Sequence, residues 1–211
     1  EKLKIEVEFD NPYKLCDFKP AYGVIFSEYI QGYDFWAHGD IDVIFGNIRD
    51  FITEDVLRRH DLICVRHDFL TGYFTLFRNT GYINNLDRES RDYITVFTSS
   101  KHVGGEETNG VVEQFTNEIH HSDISSEIDS MTHVAYRLNE SGKIRFYADF
   151  HVIEGTPGKL KWENGRMFYK GKYEVMLYHL IRLKTIYSQN KPIKIIPDKF
   201  YISPSKIYFK K

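Results

Sequence analysis

Between Tyr33 and Ile48 the chain reads YDFWAHGDIDVIFGNI, two apolar runs interrupted once, at Gly39-Asp40. That pattern predicts a buried strand, a break, and a short apolar continuation. Asp40 and Asp42 stand one residue apart directly after the first strand. In extended backbone, residues i and i+2 point to one face. Two carboxylates on one face at a strand end suit a hard divalent cation, Mg²⁺ or Mn²⁺, whose remaining positions go to water and substrate phosphates. Open α/β sheets bind ligands at the carboxyl ends of their strands, which is where this pair falls. Acidic side chains set among Phe35, Trp36, Ile41, Val43, Ile44 and Phe45 need a partner, and a metal supplies one.

The flanking segments carry both periodicities. KLKIEVEF (Lys2–Phe9) alternates charged and apolar residues and predicts a half-exposed strand. From Tyr13 to Ile30 apolar residues recur at helical spacing, so a short turn broken at Pro20 and then a helix through Ile30, ending near Gly32, are expected. Thr53 is placed to cap a helix over EDVLRRH, with Glu54 and Asp55 in its first turn. LICVRH and YFTLFRN predict strands, Gly81–Arg91 a polar helix, and YITVFTS a short strand. Lys101–Gly110 reads as a mobile polar loop and Val111–His121 as a helix. Further on, MTHVAYRL, KIRFYADFHV, KLKWENG, RMFYKGKY and EVMLYHLIRLK predict strands separated by glycine turns. Helices and strands alternate early, antiparallel strands dominate late, and no linker-like stretch intervenes. A single mixed α/β domain over residues 1–211 is expected.

Composition narrows the function classes. Lys and Arg total 28 against 30 acidic residues, for a net charge of −2, which argues against a duplex-binding protein. Cys16 and Cys64 each lie in an apolar stretch and read as buried thiols of a reducing compartment. No apolar run approaches the length of a membrane span, and no signal peptide is visible. Aromatic residues reach 16%, which suits either a cleft for flat amphipathic ligands such as sugars and bases, or an aromatic core.

Three stretches, KLCDFKPAYG (Lys14–Gly23), GYDFWAHGDIDVIFGNI (Gly32–Ile48) and GYFTLFRNT (Gly72–Thr80), resemble motifs of a bacterial glycosyltransferase-like family of the GT-A fold. The resemblance covers residues 10–100 well and the rest loosely. It implies a GT-A-like mixed sheet flanked by helices, with a donor- and metal-binding half over 1–100 and an acceptor half with antiparallel strands over 101–211. By the same resemblance Asp40 and Asp42 hold Mn²⁺ or Mg²⁺ on the diphosphate of a nucleotide-sugar, His179 is a third ligand, and Lys184 contacts the diphosphate. Lys14, Asp17 and Lys19 lie in the donor-side motif, Asp17 toward the ribose or donor sugar and Lys19 against phosphate charge. The resemblance further implies that Arg78 and Asn79 line the sugar side and that His67 and Asp68 face the acceptor. Glu106 and Glu107 match the acidic pair that supplies the catalytic base of inverting members, with Gly in place of the usual preceding aromatic. Around His179 the family's small residue and Pro are missing. The chain passes from one strand almost directly to KLCDFKP, so about one N-terminal βαβ unit of the family pattern is expected to be absent.

Each of these residues also has a structural reading. Asp-x-Asp triplets form turns, His179 suits an apolar core, Lys14, Asp17 and Lys19 suit a helix start, and Glu106, Glu107 and Lys184 suit solvent. The leading expectation is a metal-dependent glycosyltransferase of bacterial surface-polysaccharide assembly. It would work in the cytoplasm or at the inner face of the membrane, with a nucleotide-sugar donor, a saccharide or lipid-linked saccharide acceptor, and no nucleic acid. The second is a degenerate transferase fold acting as a carbohydrate-binding module. A metal-dependent phosphoesterase ranks third, because the adjacent His120 and His121 in an expected helix would diverge by about 100° and not share an ion.

Overall fold

The computed structural model describes residues 2–149, 151–186 and 197–209. A 3₁₀ segment, Pro12–Ala21, leads into α1 (Tyr22–Ile25), β1 (Phe35–Gly39), β2 (Val43–Phe45) and α2 (Glu54–Arg59). Then come β3 (Leu62–Cys64), β4 (Phe74–Arg78), a 3₁₀ segment Ile83–Glu89, α3 (Tyr93–Thr98) and α4 (Val112–Thr116). A 3₁₀ turn, His121–Asp123, precedes α5 (Met131–Glu140), β5 (Phe146–Ala148) and β6 (Val152–Ile153). The remainder is β7 (Leu160–Glu163), β8 (Arg166–Tyr169), β9 (Tyr173–Val175), β10 (Leu177–His179), α6 (Leu183–Ile186), β11 (Lys199–Ile202) and β12 (Ile207–Tyr208). The architecture is mixed α/β, with two sheets that combine parallel and antiparallel pairs and one that is antiparallel throughout.

The chain forms two compact units. One comprises Glu1–Gly39 with Val56–Phe150, the other Asp40–Asp55 with His151–Lys211. In the first, the sheet runs β1-β4-β3-β5, antiparallel except for the β3–β5 pair. Its core gathers Trp36, Leu62, Leu70, Phe77, Leu86, Met131, Val134, Ala135 and Leu138. Trp36 stacks on Phe77 at 4.3 Å and donates its indole N–H to Asn84 Oδ1 at 2.7 Å. A Cβ on Gly23 would meet the Trp36 ring at 2.8 Å, so the absence of a side chain there lets the helical segment close onto β1.

In the second unit, β10 lies between β2, antiparallel, and β6, parallel. A five-stranded antiparallel sheet follows the order β12-β11-β7-β8-β9. Asn164 and Gly165, both at positive φ, make the two-residue turn between β7 and β8, the geometry that matches strand twist. Leu160, Met167, Tyr178, Leu183, Phe200 and Ile202 form the core. Trp162 stacks on Phe200 at 5.1 Å and donates to the Phe45 carbonyl.

Several sequence expectations are corrected. Residues 4–9 have no regular secondary structure. Their alternation instead presses Leu3, Ile5 and Val7 onto the cluster of Phe18, Ala21, Val96, Phe97 and Ile128. The helix expected through Ile30 is mostly 3₁₀, with Pro20 inside it, and its α-helical part stops at Ile25. YITVFTS is helical, because Tyr93, Val96 and Phe97 lie on one face and pack together. MTHVAYRL is also a helix, since Met131, Val134, Ala135 and Leu138 follow i, i+3, i+4, i+7 and all are buried. The end of EVMLYHLIRLK turns into α6, and the helix expected over Val111–His121 is confined to α4. Glycine-rich Lys101–Gly110 buries Gly105, Glu106 and Thr108. Cys16 and Cys64 are not joined as a disulfide; Cys64 is buried and Cys16 half-buried. Among the described residues no helix is long and apolar enough to cross a membrane.

Candidate metal centre

In the second unit, β2 and β10 pair with Val43 opposite His179, and the Leu180 amide donates to the Asp42 carbonyl at 2.8 Å. This ladder carries His179 to the Asp40-Ile41-Asp42 segment. That segment is a turn rather than extended strand, which leaves Ile41 fully exposed instead of buried. The carboxylates of Asp40 and Asp42 nevertheless converge. Together with His179 they offer three ligand atoms within 4.8 Å of one another. His179 is buried, its Nε2 stands 3.7 Å from Asp42 Oδ1, and its Nδ1 lies 3.4 Å from Glu154 Oε1. With Nδ1 turned to a carboxylate, Nε2 is the nitrogen presented to the cluster.

Lys184, on the short α6 helix, donates to Asp42 Oδ2 at 2.5 Å. Burial pushes the Asp42 carboxyl up, but the Lys184 hydrogen bond and the charges of His179 and Lys184 outweigh it and hold it below the usual carboxylate value. Two carboxylates and one imidazole fit Mn²⁺ or Mg²⁺, with Mn²⁺ the better match for a nitrogen donor. Asp40, Asp42 and His179 would hold the ion, which would supply Lewis-acid charge there.

The first unit gathers a different set of the expected residues. Lys14 and Asp17 are fully buried, and the ammonium donates to Asp17 Oδ2 at 2.9 Å and to the Val96 carbonyl. Asp17 also accepts the amides of Val103 and Gly105, each at 3.0 Å. Glu106 is buried against His102, with Oε1 2.9 Å from Nε2. Burial pushes the Glu106 carboxyl up, with His102 opposing, while the hydrogen bond to Glu106 raises the His102 imidazole. Asp17, His102 and Glu106 could also hold a metal, but Lys14 already provides the cation beside Asp17. This cluster fastens the 101–110 loop to the Pro12–Ala21 segment.

The remaining expected residues belong to the first unit and have other partners. Lys19 is buried and donates to the Gly72 carbonyl at 2.9 Å, while Glu107 accepts the Gly72 amide. Arg78 spans Asp61 and the carbonyls of Leu57 and His60, with its guanidinium over the Phe35 ring. Asn79 donates to the carbonyls of Ile30 and Tyr33. Asp68 pairs with Arg66, and the His67 carbonyl accepts from the Tyr136 hydroxyl.

The model of a family of unknown function, DUF6625, matches residues 1–211. The chain belongs to this family. No curated protein and no solved structure matches it.

Two parts of this DUF6625 chain's chemistry escaped the sequence reading. Glu154 and His102 are single residues in unremarkable stretches, and only packing brings them to His179 and Glu106. The adjacent His120 and His121 do not diverge as helical neighbours would. His120 has extended backbone (φ −60°, ψ 136°) ahead of the 3₁₀ turn, and the two rings lie 4.5 Å apart.

Proposed function

We propose that this DUF6625 chain is a metal-dependent glycosyltransferase of the GT-A kind. It moves a sugar from a nucleotide-diphosphate donor to a bacterial surface polysaccharide or glycolipid. The observation that carries the reading is the meeting of Asp40, Asp42 and His179 within 4.8 Å. An Asp-x-Asp turn, a distant histidine and a following lysine assemble at one point, the set that the resemblance groups together. The donor set suits a divalent ion, which would supply Lewis-acid charge to a phosphate group. Lys184 adds a second positive charge that can leave Asp42 for a diphosphate, since its side chain is more than half exposed. The mixed α/β architecture with late antiparallel strands agrees with the resemblance in Lys14–Gly23, Gly32–Ile48 and Gly72–Thr80.

Isothermal titration of UDP, GDP, CDP and ADP and their sugar derivatives, with and without Mn²⁺, tests this on the wild type and on Asp42→Ala. The expected result is Mn²⁺-dependent binding of one nucleotide that the variant loses. If no nucleotide binds with Mn²⁺ present, the transferase reading fails. Saccharide binding that persists without nucleotide would then favour a carbohydrate-binding module.

A further inference from the structure

The geometry points to a second metal site, in the first unit, where His120, His121 and Glu140 hold a transition-metal ion of the Zn²⁺ type. Glu140 is the last residue of α5, a helix anchored in the core by Met131, Val134, Ala135 and Leu138. His120 caps and His121 starts the 3₁₀ turn that faces it. Nε2 of His120 stands 2.8 Å from Glu140 Oε1, and Nε2 of His121 stands 2.8 Å from Oε2. The three donors can offer atoms within 4.8 Å of one another. His121 is held from behind by stacking on Tyr136, at 6.0 Å and 8°.

His120 has an outer partner on the ring nitrogen that does not face Glu140. Ser122 Oγ donates to Asp123 Oδ1 at 3.2 Å and stands 2.8 Å from His120 Nδ1. An ion on Nε2 would leave Nδ1–H to donate to that hydroxyl. One divalent ion would satisfy both rings and the carboxylate together.

Two imidazoles and one carboxylate are a common zinc set, and the donating Nδ1–H is the usual outer support for a ligating histidine. A fourth position would be open, because His120, His121 and Glu140 all line a cavity of about 300 Å³ that also includes Asp68 and Tyr136. The site shares no residue with Asp40, Asp42 and His179, so it does not depend on the transferase reading.

Titration of the metal-free protein with Zn²⁺, and with Co²⁺ followed by its visible absorption, tests the site. The wild type and Asp42→Ala are expected to bind Zn²⁺ equally at this centre and to give the same tetrahedral Co²⁺ spectrum. His120→Gln and Glu140→Gln are expected to lose that spectrum and to weaken Zn²⁺ binding beyond the roughly 10–100-fold typical of losing a supporting hydrogen bond. Both side chains are at least half exposed, so the fold should survive, and circular dichroism checks it. Ser122→Ala should fall within the 10–100-fold range itself. A wild type without a tetrahedral Co²⁺ spectrum, or one that His120→Gln and Glu140→Gln leave unchanged, overturns the proposal. So does loss of the spectrum in Asp42→Ala alone.

Discussion

Lys184 Nζ lies 2.5 Å from Asp42 Oδ2, a contact that spans 142 residues of sequence. The lysine occupies one oxygen of a carboxylate whose other oxygen faces His179. An exposed ammonium on a half-buried carboxylate is a weak tether, and a metal or an anion can displace it.

Substituting Lys184→Met separates these roles. Mn²⁺ affinity should stay level or rise, because a competing cation is gone. Affinity for the Mn²⁺–nucleotide complex should fall by about tenfold or more, the worth of a charge-assisted hydrogen bond. Calorimetric titration of Mn²⁺ alone and then of nucleotide reads both. A parallel loss of the two affinities would show that Lys184 only braces the turn.

Glu154→Gln removes the carboxylate beside His179 Nδ1 while keeping its shape. Mn²⁺ affinity should drop roughly 10–100-fold with little change in melting temperature. Electron paramagnetic resonance of free Mn²⁺ during titration measures it. An unchanged affinity would mean that His179 is oriented by the β10 backbone alone.

Lys14→Met leaves Asp17 buried without its cation, next to Glu106 and His102. Breaking a buried pair on one side costs about 3–5 kcal/mol. Urea unfolding should show that loss, and protection of the amides at Val103 and Gly105 from hydrogen exchange should fall with it. A loss below about 1 kcal/mol would contradict a buried, committed ion pair.

Two buried groups give the first unit opposing pH dependences. Burial pushes the Asp87 carboxyl up to about 6, opposed only in part by its own backbone amide and the charge of Arg88, and neither oxygen has a further hydrogen-bond partner among the described residues. Between its ordinary value and about 6 the folded state keeps a proton that the unfolded state has lost, so stability falls as pH rises through that window. The ceiling is about 3 kcal/mol. Burial, assisted by the Lys19 charge, pushes the His38 imidazole down to about 3. There the unfolded state holds the extra proton from its ordinary value downward, so stability falls as pH drops from that value toward about 3, by up to about 5 kcal/mol. Asp87→Asn should therefore stabilise near pH 8 and do little near pH 4, whereas His38→Leu should flatten the acid limb. Denaturant midpoints across pH for both variants check the signs, and the reverse order would refute the assignment.

Much of the fold could be read locally. The strands Phe35–Gly39, Val43–Phe45, Phe74–Arg78, Leu160–Glu163 and Arg166–Tyr169 follow apolar runs and turn residues. In Tyr93–Thr98 and Met131–Glu140 β-branched and aromatic residues favour strands, but burial at i, i+3, i+4 decides for helix. Lys2–Phe9 shows the converse: a period-2 pattern can lay alternate side chains on a core without a ladder.

The candidate site divides in the same way. The residues alone mark Asp40 and Asp42 as paired carboxylates at a strand end, and only the family resemblance adds His179 and Lys184 to them. The antiparallel register that sets Val43 opposite His179 is what joins them. Lys14, Asp17 and Glu106 read as donor-side and catalytic residues, yet burial turns their charges on one another and on His102. His120 and His121 looked divergent under a helical assumption, and one residue of extended backbone turns both rings onto Glu140. Residue type and spacing settle which chemistry a side chain can do. Which side chains meet, and whether water reaches them, follows from long-range strand pairing and burial, and no local pattern encodes either.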